Sequence, residues 1–403
     1  MEQTYFRRGF GLKKTIEPIV AAEYHSAIVE DIRARGYQAV FGDVTIRLAQ
    51  EFGFCYGVDR AVDYAYETAH KFPEKRIFLV GEIIHNPHVN QRMREMGITF
   101  LYPDADGRFD FGAITPDDVV LIPAFGVTLQ DFQRLRDIGC ILVDTTCGSV
   151  LNVWKRVESY ARDGFTALIH GKYSHEESRA TASQVLTHPG GKYIIVRDMA
   201  EARLVCDYIE GNDDALTRDA FIEHFRRKAS EGFDPDTDLV RIGVANQTTM
   251  LATESLAIAA EVGKSLGRRY GQDNLAEHFR SFDTICSATQ ERQDAVLQMM
   301  QDPPDIMVVI GGYNSSNTNH LAHLCREYTT TYHIADATCI DVDARTIRHK
   351  PELAPDAPET TTSAWLPDGP LSIGLTAGAS TPNNKIGEAI ERILATRGIT
   401  PPS

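Results

Sequence analysis

Ile141-Leu142-Val143-Asp144-Thr145-Thr146-Cys147-Gly148-Ser149-Val150 is the stretch on which the fold turns. Ile141–Asp144 is a short apolar run, too brief for a helix and suited to a buried strand. From Val150 the pattern changes period: Val150, Val153, Trp154 and Val157 fall on one helical face. Cys147 therefore stands where a strand gives way to a helix. Beyond the helix come a second apolar run, Thr166–His170, and a polar turn, Ser174-His175-Glu176-Glu177. Strand, crossover helix and strand form the unit of a parallel sheet, and such sheets bind ligands at the carboxyl ends of their strands.

The same grammar occurs twice more. On the amino-terminal side, Gly42-Asp43-Val44-Thr45-Ile46-Arg47-Leu48 leads to Phe54-Cys55-Tyr56-Gly57-Val58, a helical stretch to about His70, the strand Ile77–Val80 and the turn His85-Asn86. On the carboxyl-terminal side, Ile285-Cys286-Ser287 opens a helix through Ala295, Val296, Met299 and Met300. The strand Ile306–Ile310 and the turn Asn314-Ser315-Ser316-Asn317 follow. The spacings Cys55 to His85, Cys147 to His175 and Cys286 to Ser315 are 30, 28 and 29 residues. A later strand in each unit also ends in small or polar residues, in Leu121–Thr128, Ile242–Thr249 and Ile373–Ser380. This threefold pattern predicts an α/β protein of three pseudo-repeated lobes with mostly parallel sheets facing one centre. The expected divisions are an extension at 1–40 and lobes at 41–145, 146–282 and 283–403.

Other stretches are plainer. Residues 1–40 lie outside the repeat, with a helix expected over Ile16–Arg35; 200–232 read as helices and Asp234–Asp238 as a turn. Residues 351–370 hold five prolines, which predicts an exposed loop before the last strand. The 403 residues carry 41 Lys and Arg against 56 Asp and Glu, a net charge of −15. Such a chain has no general attraction for nucleic acid or anionic lipid. The longest apolar run is about nine residues, Val119–Val127, against the roughly 18 needed to span a bilayer. Met1–Lys14 lacks the apolar core of a secretory signal, and residues 1–31 hold four bases against five acids, unlike a transit peptide. A cytoplasmic, reducing location is expected, where the seven cysteines stay out of structural disulfides.

Cys55, Cys147 and Cys286 recur at the strand-to-helix junction, where the helix N-terminus is expected to favour thiolate. Three thiolates are a soft ligand set, suited to zinc or an iron–sulfur cluster. Three rather than four ligands on a cubane leave one iron open, which favours catalysis over electron carriage. Cys140, Cys206, Cys325 and Cys339 do not recur and read as core packing. The strand-end loops supply His85, His175, Thr248, Ser315, Ser316, Asn317 and Ser380, mainly neutral donors suited to a phosphate-bearing ligand. Glu177 is the acid placed among them and a candidate proton donor, if burial raises its pKa.

Together these residues resemble the 4-hydroxy-3-methylbut-2-enyl diphosphate reductase family, the last enzyme of the non-mevalonate isoprenoid pathway. The resemblance is carried by Gly53-Phe-Cys-Tyr-Gly-Val-Asp-Arg-Ala61, Glu82-Ile-Ile-His-Asn86, Asp144-Thr-Thr-Cys147, Ile169-His-Gly-Lys-Tyr-Ser-His-Glu-Glu177, Asn246-Gln-Thr-Thr249, Ile285-Cys-Ser-Ala-Thr-Gln-Glu-Arg-Gln293, Gly312-Tyr-Asn-Ser-Ser-Asn317 and Thr376-Ala-Gly-Ala-Ser-Thr-Pro382. These stretches run in order over roughly 41–395 and look like the longer cyanobacterial and plastid-type branch. The resemblance implies a central [4Fe-4S] cluster on Cys55, Cys147 and Cys286 with an open fourth iron that takes the substrate's hydroxyl. It implies a diphosphate held by His85, His175, Ser315, Ser316, Asn317 and Ser380, with Thr248 near the hydroxyl and Glu177 as proton donor. A ferredoxin or flavodoxin-type partner would supply two electrons, and the products would be isopentenyl and dimethylallyl diphosphate.

Two positions depart from the family pattern. Phe125 stands where shorter bacterial enzymes have a second diphosphate-binding histidine, and Gly148 stands where proline commonly follows the middle cysteine. Two other readings share the three-cysteine logic: a quinolinate-synthase-like iron–sulfur dehydratase, and a non-enzymatic redox sensor or zinc-stabilised binding protein. The motifs Thr289-Gln-Glu-Arg-Gln293 and Asn314-Ser-Ser-Asn317 point away from the first. The second leaves Glu177 and the phosphate-type loops without a task.

Overall fold

The computed structural model describes residues 4–282, 284–351 and 357–400. The chain divides into two compact units. One holds the segment up to Arg7, Lys75–Gly81 and Phe100–Cys286; the other holds Arg8–Glu74, Glu82–Thr99 and the chain from Ser287 onward.

The first unit is built on two sheets. One has the strand order Tyr5–Phe6, Ile141–Asp144, Val119–Ile122, Ile77–Val80, Ile98–Leu101, and Ile141–Asp144 runs parallel to both of its neighbours. The other is wholly parallel in the order Phe279–Ser281, Ile242–Asn246, Thr166–His170, Tyr193–Val196. Val119–Ile122 and Thr166–His170 are buried at every residue, which is why they read as unbroken apolar runs and not as alternating ones. The helix Gly148–Arg162 buries Val150, Val153 and Val157, a stripe at helical spacing, and Val153 and Val157 pack with Phe165, Ala167 and Ile169. Close packing fixes one glycine: Gly126 has φ +76°, and a β-carbon there would meet the Trp154 ring at 2.4 Å.

The second unit holds a five-stranded sheet in the order Thr330–Ile334, Ile306–Ile310, Leu371–Ala377, Val44–Leu48, Gln38–Phe41, parallel except for the terminal hairpin. A small antiparallel sheet, Ile340–Asp341, Thr346–His349 and Thr360–Ser363, accompanies it. The architecture is α/β with mostly parallel sheets, as the sequence predicts.

Several expectations are corrected. Val44–Leu48 falls in the expected 41–145 lobe but pairs in parallel with Leu371–Ala377. Val44, Ile46 and Leu48 are buried and alternate with the partly exposed Thr45 and Arg47, while Leu371–Ala377 is buried except at Ser372, so the two strands bury their apolar residues together. Each junction cysteine thus follows a strand of one sheet, and the helix after it leads to a strand of another. The extension is not outside the sheets, since Tyr5–Phe6 pairs with Leu142 and Val143. Ile16–Arg35 is two helices, Lys13–Tyr24 and Ala27–Ala34. Pro235–Asp238 is a short helix capped by Asp234 in place of the turn, and 351–370 includes the strand Thr360–Ser363. Pro355, counted in that loop, lies outside the described residues. Among the described residues no helix is long and apolar enough to cross a membrane.

Candidate functional site

In the first unit, Cys147 caps the helix Gly148–Arg162, and Cys286 immediately precedes the helix Ser287–Met299. Their thiols converge on one hydroxyl. Cys286 Sγ lies 3.4 Å from Ser149 Oγ, and Ser149 also hydrogen-bonds the Cys147 thiol. At Cys147 the balance runs against the thiolate that the sequence leads one to expect. Burial raises its pKa, and repulsion from Cys286 adds to that, against the backbone N–H groups of Ser149 and Val150 that lower it. Asp144 organises the turn ahead of Cys147. Its Oδ1 accepts from the Thr146 N–H at 2.9 Å and the Thr146 hydroxyl at 2.5 Å, and its Oδ2 accepts from the Tyr5 hydroxyl at 2.6 Å.

At the carboxyl end of Thr166–His170, His175 caps the helix Glu176–Val185 by accepting the Glu177 N–H on Nδ1 at 3.1 Å. Acceptance at Nδ1 assigns the ring proton to Nε2, so this histidine is a neutral donor. Phe125 packs edge-to-face on it with centroids 5.4 Å apart. The phenyl ring thus buttresses the remaining histidine. Glu177 is fully buried. Its Oε1 accepts the Thr248 N–H at 2.6 Å and its Oε2 the Thr248 hydroxyl at 2.9 Å. Gln247 latches the two loops together: its Oε1 accepts from the Lys172 N–H and the Ser178 hydroxyl, each at 3.1 Å.

In the second unit, Cys55 caps the helix Tyr56–Lys71 and its N–H donates to the Ala379 carbonyl at 3.2 Å. Five of the expected anion-binding residues belong to this unit: His85 and Ser380 on loops, Ser315 at a helix cap, and Ser316 and Asn317 buried in the first turn of that helix. The Ser380 hydroxyl donates to the His85 carbonyl at 3.2 Å, and Asn317 Oδ1 accepts the Ala379 N–H at 3.0 Å. Ser315 caps the helix Ser316–Arg326. His85 Nδ1 is 3.0 Å from Glu82 Oε2, which orients the ring. Asn317 Nδ2 is buried without a hydrogen-bond partner. A buried amide left unsatisfied is costly, and a donor in that state suits a bound anion.

The cysteines sort by environment. All seven are free; Cys55, Cys147 and Cys286 are partly exposed, and Cys140, Cys206, Cys325 and Cys339 are buried. Burial pushes the Cys140 thiol up to about 11 and the Cys206 and Cys325 thiols up to about 12. These are packing residues, as the sequence predicts. Within the first unit Cys147 and Cys286 are soft, partly exposed thiols gathered on Ser149, and Cys55 is a soft, partly exposed thiol of the second unit; donors of this kind fit an iron–sulfur group. Sequence reasoning assigned no role to Asp144 or Gln247. Both lie inside motifs it quoted, but their partners, Tyr5, Lys172 and Ser178, are distant in the chain or unremarkable in it.

The LytB protein family profile matches residues 46–394. The 4-hydroxy-3-methylbut-2-enyl diphosphate reductase of Thermosynechococcus vestitus is 48% identical over 398 residues, 98% of this chain and 96% of that protein. The reductase of the same name from Gloeobacter violaceus is 48% identical over 401 residues, 98% of this chain and 94% of that protein. A solved structure of (E)-4-hydroxy-3-methyl-but-2-enyl diphosphate reductase, the terminal enzyme of the non-mevalonate pathway, superposes with a TM-score of 0.52 at 25% identity. It covers 86% of this chain and 98% of the other. A Plasmodium falciparum reductase shares the fold with a TM-score of 0.61 at 19% identity, covering 87% of each chain. The family match over residues 46–394 and the full-length similarity to these enzymes lead to one conclusion: the chain belongs to the LytB family of 4-hydroxy-3-methylbut-2-enyl diphosphate reductases and is an oxidoreductase of that class.

Proposed function

We propose that this chain converts (E)-4-hydroxy-3-methylbut-2-enyl diphosphate to isopentenyl and dimethylallyl diphosphate, with Cys55, Cys147 and Cys286 as ligands of one [4Fe-4S] cluster. When bound, such a cluster supplies electrons singly and an iron with an open position that acts as a Lewis acid. The reaction consumes two electrons and two protons and releases water. The electrons come from a ferredoxin or flavodoxin-type donor. The reducing conditions this requires suit seven free cysteines, and the cytoplasm is the proposed compartment.

The observation that carries the proposal is the Glu177–Thr248 pair. A carboxyl with no exposed surface, held at both oxygens by one threonine, has a fixed orientation and no competing water. In this reading Glu177 passes a proton to the leaving hydroxyl, which departs as water instead of hydroxide. Thr248 holds the carboxyl and orients the substrate hydroxyl through its own. His175, with its ring proton assigned to Nε2, donates to a phosphate oxygen. His85, Ser315, Ser316, Asn317 and Ser380 supply the other contacts, so the diphosphate is bound by neutral donors without paired arginines. The test is anaerobic purification with iron and sulfide analysis, then turnover of the hydroxylated allylic diphosphate with a reduced one-electron donor. A colourless, zinc-loaded protein with no turnover would overturn the reading.

A further inference from the structure

The loop that opens the helix Ser316–Arg326 is tied at its start through the backbone of Gly311, whose N–H donates to the Ile334 carbonyl at 3.0 Å and whose carbonyl lies 3.0 Å from His333 Nε2, but it has few side chains to hold it further on. Gly311 and Gly312 bring no side chains, Asn314 is exposed, and Ser315 spends its hydroxyl oxygen on the Thr318 N–H and hydroxyl. Gly311 cannot be exchanged for a larger residue, since its φ is +146° and a β-carbon would meet Thr381 Oγ1 at 2.6 Å. Tyr313 is the one large side chain in the segment, and the structure fixes it from several sides. Its hydroxyl donates to Glu359 Oε1 at 2.7 Å and lies 4.0 Å from Cys339 Sγ. Its ring packs edge-to-face on the buried His333 at 5.0 Å between centroids, and the Lys350 ammonium lies 5.4 Å from the ring centre. Its carbonyl accepts from Asn319 Nδ2 at 2.8 Å. Glu359 is in turn ion-paired with Arg348. Arg348 lies on the strand Thr346–His349, Glu359 directly precedes Thr360–Ser363, and Cys339 directly precedes Ile340–Asp341. All three strands of the small antiparallel sheet thus bring a group to the Tyr313 hydroxyl or to its partner.

We propose that the small antiparallel sheet is a clamp for the diphosphate loop, with Tyr313 and Glu359 as positioning residues that set Ser315, Ser316 and Asn317 for the anion. This deepens the diphosphate-binding reading of those three residues and rests on it. The physical reason is entropy. A loop rich in glycine loses much freedom when it closes on a ligand, and a pinned tyrosine removes part of that cost before binding.

Tyr313→Phe keeps the ring and loses the hydroxyl bond, and Glu359→Ala removes the acceptor of that same bond. In cluster-loaded enzyme, each is expected to weaken pyrophosphate binding by about three- to tenfold in calorimetry and to raise KM for the allylic diphosphate in step, with kcat and iron content unchanged. The double variant is expected to bind no more weakly than the worse single one, because both remove the same contact. Amide hydrogen exchange over residues 311–318 should quicken in both variants without ligand, whereas exchange in Thr166–His170 should not. Unchanged pyrophosphate affinity in Tyr313→Phe, or losses that simply add in the double variant, would overturn the clamp. Failure of the unmodified enzyme to bind pyrophosphate would overturn the underlying diphosphate reading and the clamp with it.

Discussion

Glu177 has no exposed surface, and Thr248 engages both of its carboxyl oxygens. Glu177→Gln preserves the shape while removing the transferable proton, so turnover should fall by about two or more orders of magnitude with cluster content intact. Near-normal turnover in a cluster-replete variant would shift the donor role to Thr248 or His175. The cysteines give a second prediction. Serine at Cys55, Cys147 or Cys286 should sharply lower iron and sulfide per chain, whereas alanine at Cys206 or Cys325 should leave both unchanged, because those thiols lie in apolar cores. Full iron content in any of the three junction variants would refute the ligand assignment. At this scale the sequence was informative for a definite reason. A cysteine where a short apolar run meets a helical period can be read locally, and so can a histidine or serine at a helix start. The Asp144–Tyr5 bond was not legible, because 139 residues separate the partners.

Among the elements, Tyr5–Phe6 and Thr330–Ile334 carry consequences of their own. The Tyr5 hydroxyl holds the carboxylate that shapes the turn before Cys147. Tyr5→Phe removes that bond and keeps the ion pair of Asp144 Oδ2 with Arg7 at 3.5 Å, and should cost about 1 kcal/mol of stability, measured by denaturant titration. An unchanged midpoint would show that water replaces the bond. His333, on Thr330–Ile334, is buried, and its Nε2 lies 3.0 Å from the Gly311 carbonyl. Burial lowers its pKa from the ordinary 6.5 to about 4. The unfolded chain therefore takes up a proton first as the pH falls. The contribution of the neutral ring is complete above about pH 6.5, is lost progressively toward pH 4, and totals about 3 kcal/mol. His333→Gln, which retains a donor for the carbonyl, should flatten the stability profile across that window. A profile of the same slope would place the acid sensitivity elsewhere.

At the scale of the whole chain, the five-stranded sheet of the second unit takes its strands from both ends of the sequence. Val44–Leu48 pairs with Leu371–Ala377 over five residues, and Ile28, Val29, Ile32, Ile46 and Leu48 share a core with Ile373, Leu375, Ile386 and Ile390. A fragment of residues 283–403, the third lobe as the sequence would cut it, lacks that partner strand and, among the described residues, nine of the 28 buried ones of that core. Each buried aliphatic side chain lost removes about 1.5–3 kcal/mol, and total stabilities are only about 5–15 kcal/mol. The fragment should be unfolded or aggregated by circular dichroism and size exclusion. A cooperative native transition in the fragment alone would show that the sheet tolerates an open edge at Leu371–Ala377.

The sequence by itself determined what depends on neighbours in the chain. It specified the alternation of strand and helix, the junction position of Cys55, Cys147 and Cys286, the polar loops that cap helices at His175 and Ser315, and the core fate of the other four cysteines. Periodicity and capping act over a few residues, so they can be read without knowing the fold. Tertiary structure alone decided which strands pair across three hundred residues, that Phe125 buttresses His175, that Gln247 latches two loops, and that burial overrides the helix terminus at the Cys147 thiol. These depend on what a folded chain places beside a group and how much water it removes, and neither quantity is local.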